Sequence, residues 1–403
     1  MSVFVVVGAG LNGLAEDARA ALGNVNCVFG PQRASDWITD VPFSPWPSRF
    51  TDVFGKLDEL KEANARVGIV ATGDPMWFGI GSTLVRRYGA QSVWVLPSPS
   101  AFSLAAARMK WPLEHAACVS LHGTSANGRG IASLAQRVAP GARILALSAD
   151  HTSPERVARW LTERGFGRSV LTVLECMGTD RERIRSEQAS AFDLGDMNAM
   201  NVIAIDCEAA SDASWQAATA GLPDEAFTHD GQLTKADIRA MTVARLRPRP
   251  NGVLWDVGAG CGSVGIEWLR LSPNASVHAV EAKSERARMI AANVEAFGLS
   301  NFNIVEASAP DALSDLPAPN VVFIGGGVSD PSVAERCWSS LRDGGAIAAN
   351  VVTLEGETRL LELYKRYGGR LARVTIANAE TIGAYRGWKP SMPVTMWSAE
   401  KRA

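Results

Sequence analysis

A glycine-rich stretch in the second half of the chain has the composition of a nucleotide-binding turn. LWDVGAGCGSVGIEWLR places an apolar strand pattern before Gly258, Gly260 and Gly262, and a helix pattern after them. Glycines permit a sharp turn, and bare N–H groups at a helix N-terminus can approach a polar ligand. The next predicted strand ends at Glu281, whose carboxylate can accept hydrogen bonds from ribose hydroxyls. The spacing therefore predicts a site for a ligand that contains a ribose.

Two kinds of ligand fit this spacing. A third interpretation is a structural glycine turn that binds no ligand. Gly260, Gly262 and Gly265 satisfy G-x-G-x-x-G, the fingerprint of dinucleotide-binding folds. Asp256 lies two residues before Gly258 and completes D-x-G-x-G-x-G. That longer pattern resembles the S-adenosylmethionine (AdoMet) loop of Rossmann-like, class I methyltransferases, so Asp256 favours AdoMet over a dinucleotide.

Further glycine-rich turns lie in the first half of the chain. VVVGAGLNG, with Gly8 and Gly10, follows a strand pattern, but the region of the next strand reads NVNCVFGPQ and supplies no acid for a ribose. A dinucleotide is therefore not favoured there. Gly73, Asp74 and Pro75 form a second turn, and on residue type alone it reads as an ordinary turn with Asp and Pro at its corners.

These turns need sheets to position them. Apolar, β-branched runs alternate with amphipathic stretches in both halves, which predicts an α/β fold. The predicted strands lie at 3–7, 67–71, 92–96, 143–147, 170–174, 201–205, 253–257, 277–280, 303–305, 321–324, 346–351 and 371–376. One helix is predicted with Ser153 as its N-cap, Pro154 in its first turn and Gly165 as its stop.

A segment of small residues divides the chain. AASDASWQAATAG at 209–221 forms neither a helix face nor an alternating strand, so we expect a domain at 1–208, a linker at 209–221 and a doubly wound domain at 222–403. The α/β rhythm begins again after this linker, with spacers long enough for crossover helices between its strands.

Composition excludes several classes of protein. The 40 Lys and Arg against 42 Asp and Glu give a net charge of −2, so no overall positive field attracts nucleic acid or an anionic membrane. The six cysteines contain no C-x-x-C pair and the five histidines are scattered, which speaks against a disulfide framework or a metal site. No apolar stretch reaches the ~20 residues that span a bilayer. We therefore expect a cytoplasmic protein that binds a small molecule.

The first half resembles the tetrapyrrole methylase family, the class III methyltransferases, over about residues 3–205. The motifs are the opening glycine turn, ATGDPMWFGIGSTLVRRY at 71–88 and PSPSAFSLAAARMKWPLEHAACVSLHG at 97–123. The resemblance implies two α/β subdomains with AdoMet in a cleft between them, and a C5-methylating activity of corrin biosynthesis. It implies AdoMet contacts at Gly8, Gly10, Gly73, Asp74, Pro75, Ser100 and Ala101, with Phe102, His122 and Gly123 in the same cleft. The family has an arginine where this chain has Thr124, so Arg129 or another basic residue is expected to take over its contact.

The second half resembles the C15-methylating, decarboxylating enzymes of corrin biosynthesis over about residues 222–397. The motifs are EAFTHDGQLTKADIRA, DVGAGCGSVGIEW, VEASAPDAL and VTLEGETRL. The resemblance implies AdoMet contacts at Thr234, Gly258, Ala259, Gly260, Cys261, Gly262, Glu281 and Ala309. Thr234 also starts T-x-x-D before an apolar helix, which predicts a cap with Asp237 reaching back. We expect Asp230, Gln232, Lys235 and Asn350 near the substrate.

Together the two halves resemble fused, bifunctional methyltransferases of cobalamin biosynthesis. This implies two AdoMet sites, methylation of precorrin-6Y at C5 and C15, loss of carbon dioxide from the ring C acetate to give precorrin-8, and a homo-oligomer. An RNA methyltransferase, a non-catalytic AdoMet-binding module and a cobalt-precorrin version of the same reactions remain the alternatives. Candidate clamps for substrate carboxylates are Arg86, Arg87, Arg108, Lys110, Arg386 and Lys389, and Trp77, Trp111 and Trp388 are candidates for stacking on the macrocycle.

Overall fold

The computed structural model describes residues 3–122 and 130–402, and these divide into two compact units. The first contains the chain up to Ile131 and Arg137–Ser214, and the second contains Ala132–Gln136 and the chain from Trp215. Helices alternate with strands in both units. The predicted α/β fold class is therefore confirmed. None of the described helices is long and apolar enough to cross a bilayer.

The first unit begins with a parallel sheet. Its strand order is β3-β2-β4-β1-β5, with β1 Phe4–Ala9, β2 Cys27–Gly30, β3 Phe43–Pro45, β4 Val67–Thr72 and β5 Val93–Leu96. The helices that accompany these strands are α1 Glu16–Leu22, α2 Val53–Glu62 and α3 Ile80–Tyr88. Every residue of β1 is buried, as expected for a parallel strand that is covered on both faces. Because Ala9 lies opposite Thr72, the turns after β1 and β4 meet at the same edge.

A mixed sheet completes this unit. Its order is β6-β7-β10-β8-β9, with β6 Ala117–Ser120, β7 Arg143–Leu147, β8 Val170–Glu175, β9 Arg183–Gln188 and β10 Asn201–Asp206. Only β6 and β7 pair in parallel, and the other pairs are antiparallel. Two helices accompany it, α4 Ala101–Met109 and α5 Ser153–Thr162. The N-cap of α5 is Thr152 and not Ser153, so that cap assignment was wrong by one residue, while Pro154 lies in the first turn as predicted.

The second unit is built on a doubly wound sheet. Its order is β13-β12-β11-β14-β15-β19-β16, with β11 Val253–Val257, β12 Ser276–Glu281, β13 Phe302–Glu306, β14 Val321–Ile324, β15 Ala346–Val351, β16 Arg370–Val374 and β19 Val394–Glu400. Its helices are α6 Ala236–Leu246, α7 Ser263–Arg270, α8 Ser284–Ala296, α9 Pro331–Ser340 and α10 Leu354–Tyr367. The strands β11 to β15 are parallel, and β19 is antiparallel to both of its neighbours.

The strand order of this sheet locates a crevice. Chain order runs one way from β11 through β12 to β13 and the other way from β11 through β14 to β15. In open α/β sheets, ligands bind beyond the carboxyl ends of the strands where the order reverses. Buried Trp255 and Trp268 fill the core beneath this point. The glycine turn predicted at 258–262 follows β11 directly, so it lies at the crevice.

A hairpin stands apart from the main sheet of the second unit. Its strands β17 Ala377–Ile382 and β18 Tyr385–Pro390 pair only with each other among the described strands. All of their residues are exposed except half-buried Gly387. Ile382, Tyr385 and Trp388 are 62%, 81% and 75% exposed. The hairpin therefore carries large apolar side chains that the unit itself does not cover.

Candidate functional site

A cavity of about 1000 Å³ opens at the carboxyl ends of β11, β14 and β15. One part of its wall is apolar, with Phe323, Val328, Val351, Val352, Val374, Ile376, Met392 and Val394. The other part is polar and contains the glycine turn, Gln232, Thr234, Lys235, Asn350 and Asn378. The cavity thus has the mixture of apolar walls and a few fixed polar groups that is typical of small-molecule sites.

The glycine turn uses backbone conformations that favour glycine. Gly258, Gly260 and Gly262 have φ values of +67°, +62° and +79°. A Cβ on Gly258 would lie 2.6 Å from the backbone of Gly326, so the turns after β11 and β14 approach too closely for a side chain. A Cβ on Gly260 would meet nothing nearer than the Gln232 carbonyl oxygen at 3.7 Å. The turn therefore presents bare backbone to the cavity at Gly260.

Asp256 fixes the turn from below. Its side chain is fully buried, and Oδ2 accepts a hydrogen bond of 2.9 Å from the Gly265 N–H in the first turn of α7. Its Oδ1 has no hydrogen-bond partner among the described residues. The pKa of Asp256 is raised to about 7. Burial is the main cause, the charge of Glu281 adds to it, and the hydrogen bond from the Gly265 N–H opposes it. Asp256, which favoured AdoMet over a dinucleotide in the sequence pattern, thus supports the turn from inside the protein.

This buried carboxyl makes the stability of the second unit depend on pH. The folded protein holds the Asp256 proton more tightly than the unfolded chain, in which the pKa of an aspartate is about 3.9. The stability gained from this group is complete below about pH 4 and is lost as the pH rises through about 7. The melting temperature of the wild type relative to Asp256→Asn is expected to fall between about pH 5 and pH 8. A constant difference over that range would contradict the raised pKa.

Glu281 at the end of β12 holds the other side of the turn. Its Oε2 accepts a hydrogen bond of 2.8 Å from the Gly260 N–H, and its Oε1 accepts one of 3.0 Å from the Lys283 N–H. Each carboxylate oxygen can accept two hydrogen bonds. One acceptor position on each oxygen therefore remains available without any change in the turn.

The segment at 228–235 forms one side of the cavity and is held by α8. Arg286 donates to Asp230 Oδ2 at 2.8 Å and to Gln232 Oε1 at 2.6 Å. Two turns further along, the Asn293 amide donates to the Thr228 and Cys261 carbonyl oxygens and accepts from the Thr228 N–H. The Gln232 N–H and, to a smaller extent, Arg286 hold the pKa of Asp230 below its usual value. The carboxylate of Asp230 is thus engaged in holding the segment.

A buried ion pair anchors the start of the same segment. Arg239 and Glu267 are fully buried, and the Arg239 Nε donates to Glu267 Oε1 at 2.6 Å. The guanidinium also donates to Asp224 and to the carbonyl oxygens of Leu222 and Thr234. Glu267 accepts two backbone N–H groups, from Gly221 and Leu222. One arginine therefore joins α6, α7 and the segment at 228–235 together with the residues that precede it.

Asn350 near the end of β15 has a fixed amide. The Thr242 hydroxyl donates to the Ile238 carbonyl oxygen at 2.7 Å, so its oxygen is the acceptor for the Asn350 Nδ2 at 2.7 Å. The Asn350 Oδ1 is buried and has no partner among the described residues. The amide orientation thus follows from the hydrogen bond that Thr242 already makes.

The structure brings most of the predicted residues of this half to the cavity. Gln232, Thr234, Lys235, Asn350, Gly258, Ala259, Gly260 and Cys261 line it. Asp230, Gly262, Glu281 and Ala309 are not in the lining: Asp230 and Glu281 bond to residues that are, and Ala309 packs on the core beneath β14. The predicted cap at Thr234 was wrong, because α6 begins at Ala236 with Lys235 at the N-cap and no side-chain cap. Lys235 instead pairs with Asp224 at 3.3 Å.

A second cavity, of about 470 Å³, lies in the first unit. Of the predicted residues, Gly10, Gly73, Asp74, Ser100, Ala101, Phe102 and His122 line it. Gly8 and Pro75 lie behind the lining, where a Cβ on Gly8 would come within 2.4 Å of the Gly73 carbonyl oxygen. Ser100 caps α4 by accepting from the Ser103 N–H at 3.1 Å. Gly123, Thr124 and Arg129 lie outside the described residues.

An exposed aromatic loop forms the rim of this second cavity. Trp77 and Phe78 are 39% and 58% exposed, and both approach the buried ring of Phe102, at 5.5 and 5.9 Å between ring centroids. Phe78 has a φ of +53°, a conformation that is unusual for a bulky residue and is often found at functional sites. The loop thus holds apolar rings toward solvent at a cost in backbone energy.

Three of the predicted carboxylate clamps are occupied by partners within the protein. Arg87 pairs with Asp58, Arg108 pairs with Glu182 through two hydrogen bonds, and Lys389 pairs with Glu380. The sequence patterns also missed the far wall of the second cavity, with Leu147, Ser148, Leu174, Met177, Met200 and Asn201. These residues come from strand ends and loops of the mixed sheet, and only the tertiary fold brings them together.

Known proteins match both halves of the chain. The family model for tetrapyrrole (corrin/porphyrin) methylases matches residues 3–192, and the model for the precorrin methyltransferase domain matches residues 225–401. A precorrin-6Y C(5,15)-methyltransferase [decarboxylating] from Sinorhizobium sp is 40% identical over 97% of this chain and 94% of its own length.

Two shorter proteins each match just under half of the chain. A probable cobalt-precorrin-6B C(15)-methyltransferase (decarboxylating) from Pyrobaculum aerophilum is 34% identical over 46% of this chain and 98% of its own length. The crystal structure of the C-terminal domain of precorrin-6Y C5,15-methyltransferase from Rhodobacter capsulatus is 43% identical, covering 46% of this chain and all of that chain, with a TM-score of 0.44. The resemblance seen in the motifs is confirmed. The chain therefore belongs to the family of decarboxylating precorrin-6Y C(5,15)-methyltransferases.

Proposed function

We propose that the protein methylates precorrin-6Y at C5 in its first unit, and both decarboxylates the ring C acetate and methylates C15 in its second unit, to give precorrin-8. The observation that carries this division is that each unit contains a cavity bordered by glycine turns at the carboxyl ends of parallel strands. The Pyrobaculum relative supports it, because a protein that 46% of this chain matches carries both C15 methylation and decarboxylation in its name.

The residues around the larger cavity fit AdoMet. Glu281 keeps acceptor positions for two ribose hydroxyls, and Gly260 leaves room for a ligand against bare backbone. AdoMet supplies an electrophilic methyl group when it is bound. We infer a second AdoMet at the smaller cavity, held by Gly10, Gly73, Asp74, Ser100 and Ala101.

The apolar side chains that line the larger cavity favour decarboxylation in the second unit. Apolar side chains from β15, β16 and β19 line the cavity, and apolar surroundings disfavour a localised carboxylate charge relative to the dispersed charge of the transition state. The conjugated macrocycle accepts the electron pair that carbon dioxide leaves behind. Among the described residues no histidine lines this cavity, and attack by an enamine-like ring carbon requires no strong base. The chain's main task is to hold the reacting carbon in line with the methyl group.

The polar side chains then orient the substrate. Gln232, Lys235 and Asn350 line the same cavity, and we assign them to the macrocycle and its carboxylates. Asp230 acts with them through Arg286, which binds both Asp230 and Gln232. In the first unit, exposed Trp77 and Phe78 offer apolar rings to a flat conjugated ligand.

Counting ligands and products tests the division. Calorimetric titration with S-adenosylhomocysteine is expected to give two sites per chain. Mass spectrometry of the product from precorrin-6Y is expected to show two added methyl groups and one lost carboxyl group. A single site per chain, or a product with only one added methyl group, would contradict the proposal.

We also infer that the protein is a homo-oligomer and that a second copy covers the hairpin β17–β18. Both outer edges of the hairpin are unpaired among the described strands, and exposed edges of this kind add strands from another chain. Light scattering is expected to give a mass that is a multiple of 42.9 kDa. A mass of one chain at micromolar concentration would contradict this.

The alternative of an RNA methyltransferase is not favoured. The near full-length relative is named for a precorrin, and the net charge of −2 offers no general attraction for a phosphate backbone. Because that relative is named for a precorrin and not for a cobalt-precorrin, we propose the metal-free precorrin as the substrate.

A further inference from the structure

A half-buried arginine that has no counter-ion among residues 3–122 and 130–402 lies beside the smaller cavity. Arg33 lies in the short 3₁₀ turn Gln32–Trp37 that follows β2. Its NH2 group donates to the Thr72 hydroxyl at 2.5 Å, and Thr72 is an exposed lining residue of the cavity at the end of β4. The guanidinium therefore borders the cavity at the carboxyl edge of the parallel sheet.

The donors of Arg33 are largely unused. A guanidinium has five N–H donors, and Thr72 takes one of them. The Nε is buried and has no partner, and none of the described carboxylates lies within ion-pair distance. Burial lowers the pKa of Arg33, and no neighbouring acid opposes that effect. The charge is thus partly desolvated without compensation.

This situation differs from that of two arginines on helices of the same unit. Arg87 and Arg108 each form two hydrogen bonds to a carboxylate, of Asp58 and Glu182 respectively. A partly buried charge is costly unless an opposite charge and hydrogen bonds compensate it. The part of the chain that the structure describes supplies no such group to Arg33, so a bound anion is the natural partner. The planar fork of a guanidinium matches a carboxylate through two parallel hydrogen bonds.

We propose that Arg33 is a carboxylate-binding residue of the smaller cavity. The inference rests on the proposed function of the first unit, and that function provides two sources of a carboxylate. One is the amino-acid end of AdoMet, and the other is an acidic side chain on the rim of the tetrapyrrole. The two sources share the same chemistry at Arg33 and differ in which ligand loses affinity when the guanidinium is removed.

The chain offers a matched control. Arg66 is also half buried, also has a buried Nε without a partner, and forms no ion pair with the described residues. It directly precedes β4 and thus lies at the opposite end of that strand from Thr72, away from the cavity. Arg33→Met and Arg66→Met therefore each remove one half-buried guanidinium next to the same parallel sheet. They differ in which end of the sheet they lie at, and so in their distance from the proposed ligand.

The experiment uses the full chain carrying Gly260→Arg, which is expected to block the AdoMet site of the larger cavity and to leave the site of the smaller one. S-adenosylhomocysteine and 5′-methylthioadenosine, which lacks the amino-acid end, are titrated by calorimetry, and KM for precorrin-6Y is measured in C5 methylation. If AdoMet supplies the carboxylate, Arg33→Met lowers the affinity for S-adenosylhomocysteine by about 10-fold or more and leaves the affinity for methylthioadenosine unchanged. If the substrate supplies it, KM rises by about 10-fold or more and both affinities are unchanged. Arg33→Lys, which keeps the charge and loses the fork, is expected to recover part of either loss.

Two results would count against the proposal, and they differ. If Arg33→Met matches Arg66→Met in both affinities and in KM, with the same circular dichroism spectrum, then Arg33 binds no carboxylate. If the Gly260→Arg chain with Arg33 intact binds no S-adenosylhomocysteine and forms no C5-methylated product, then the AdoMet site assigned to the first unit is itself wrong.

Discussion

Replacing Gly260 by arginine is expected to abolish C15 methylation and decarboxylation together while C5 methylation continues. The Cβ position of Gly260 opens toward the cavity of the second unit, so the long side chain would occupy the space proposed for AdoMet. Displacing a reacting group by about 1 Å can cost on the order of 100-fold in rate, and exclusion of the ligand should cost at least that. Calorimetry should count one S-adenosylhomocysteine site where the wild type has two, and the product should carry one added methyl group with its carboxyl retained.

Gly344→Arg is the control for this substitution. Gly344 lies in the same unit, has a φ of +71°, and a Cβ there would meet nothing within 4 Å. It therefore adds the same side chain and the same strain of a positive φ, at a site outside the cavity lining. Full activity is expected. If C15 methylation and decarboxylation persist in Gly260→Arg, or if C5 methylation disappears with them, the division of activities between the units is wrong.

Removing the buried arginine is expected to have the largest effect on stability. Arg239→Met leaves Glu267 buried without its cation and leaves the Leu222 and Thr234 carbonyl oxygens without a donor. Breaking a buried pair from one side typically costs about 3–5 kcal/mol. We expect a loss of that size in the free energy of unfolding of the second unit, measured by urea denaturation and followed through tryptophan fluorescence, to which buried Trp255, Trp268 and Trp397 of that unit contribute.

Two further variants make this prediction specific. Adding Glu267→Gln to Arg239→Met removes the unpaired charge while keeping an oxygen that can accept the Gly221 or Leu222 N–H, so it should recover part of the loss. Arg366→Met breaks the pair with Glu335, in which both side chains are at least half exposed. That variant should cost no more than about 1 kcal/mol. Equal losses for Arg239→Met and Arg366→Met would show that burial of the pair is irrelevant.

The core of the fold was predictable because its strands are buried. The predicted strands at 143–147, 253–257, 321–324 and 346–351 match β7, β11, β14 and β15 at both ends. Continuous β-branched runs of this kind occur where both faces of a parallel strand are covered. Strand β9, with the sequence RIRSEQ, was missed because it lies at an edge, is only half buried on alternate residues and consists mostly of polar residues.

The sites were predictable where the backbone itself forms them. The glycine turns could be located because a positive φ and the close approach of two turns leave few residue types possible, as at Gly258. Arg33 could not be found in this way, since a single arginine after a strand has no pattern. Its significance depends on the lack of a carboxylate beside it among the described residues, which only the tertiary fold reveals. The roles of Arg239 and Glu267 were likewise hidden, because two charged residues 28 positions apart read as surface residues until the fold buries them.

The thiol in the glycine turn of the second unit has a chemical consequence. Cys261 is 2% exposed and belongs to the turn that we assign to AdoMet. A sulfur nucleophile beside an alkylating sulfonium would be a target for irreversible self-modification. Burial raises the pKa of Cys261, which keeps the sulfur in its protonated and poorly nucleophilic form. We therefore expect bound AdoMet to leave this cysteine unmethylated over repeated turnovers.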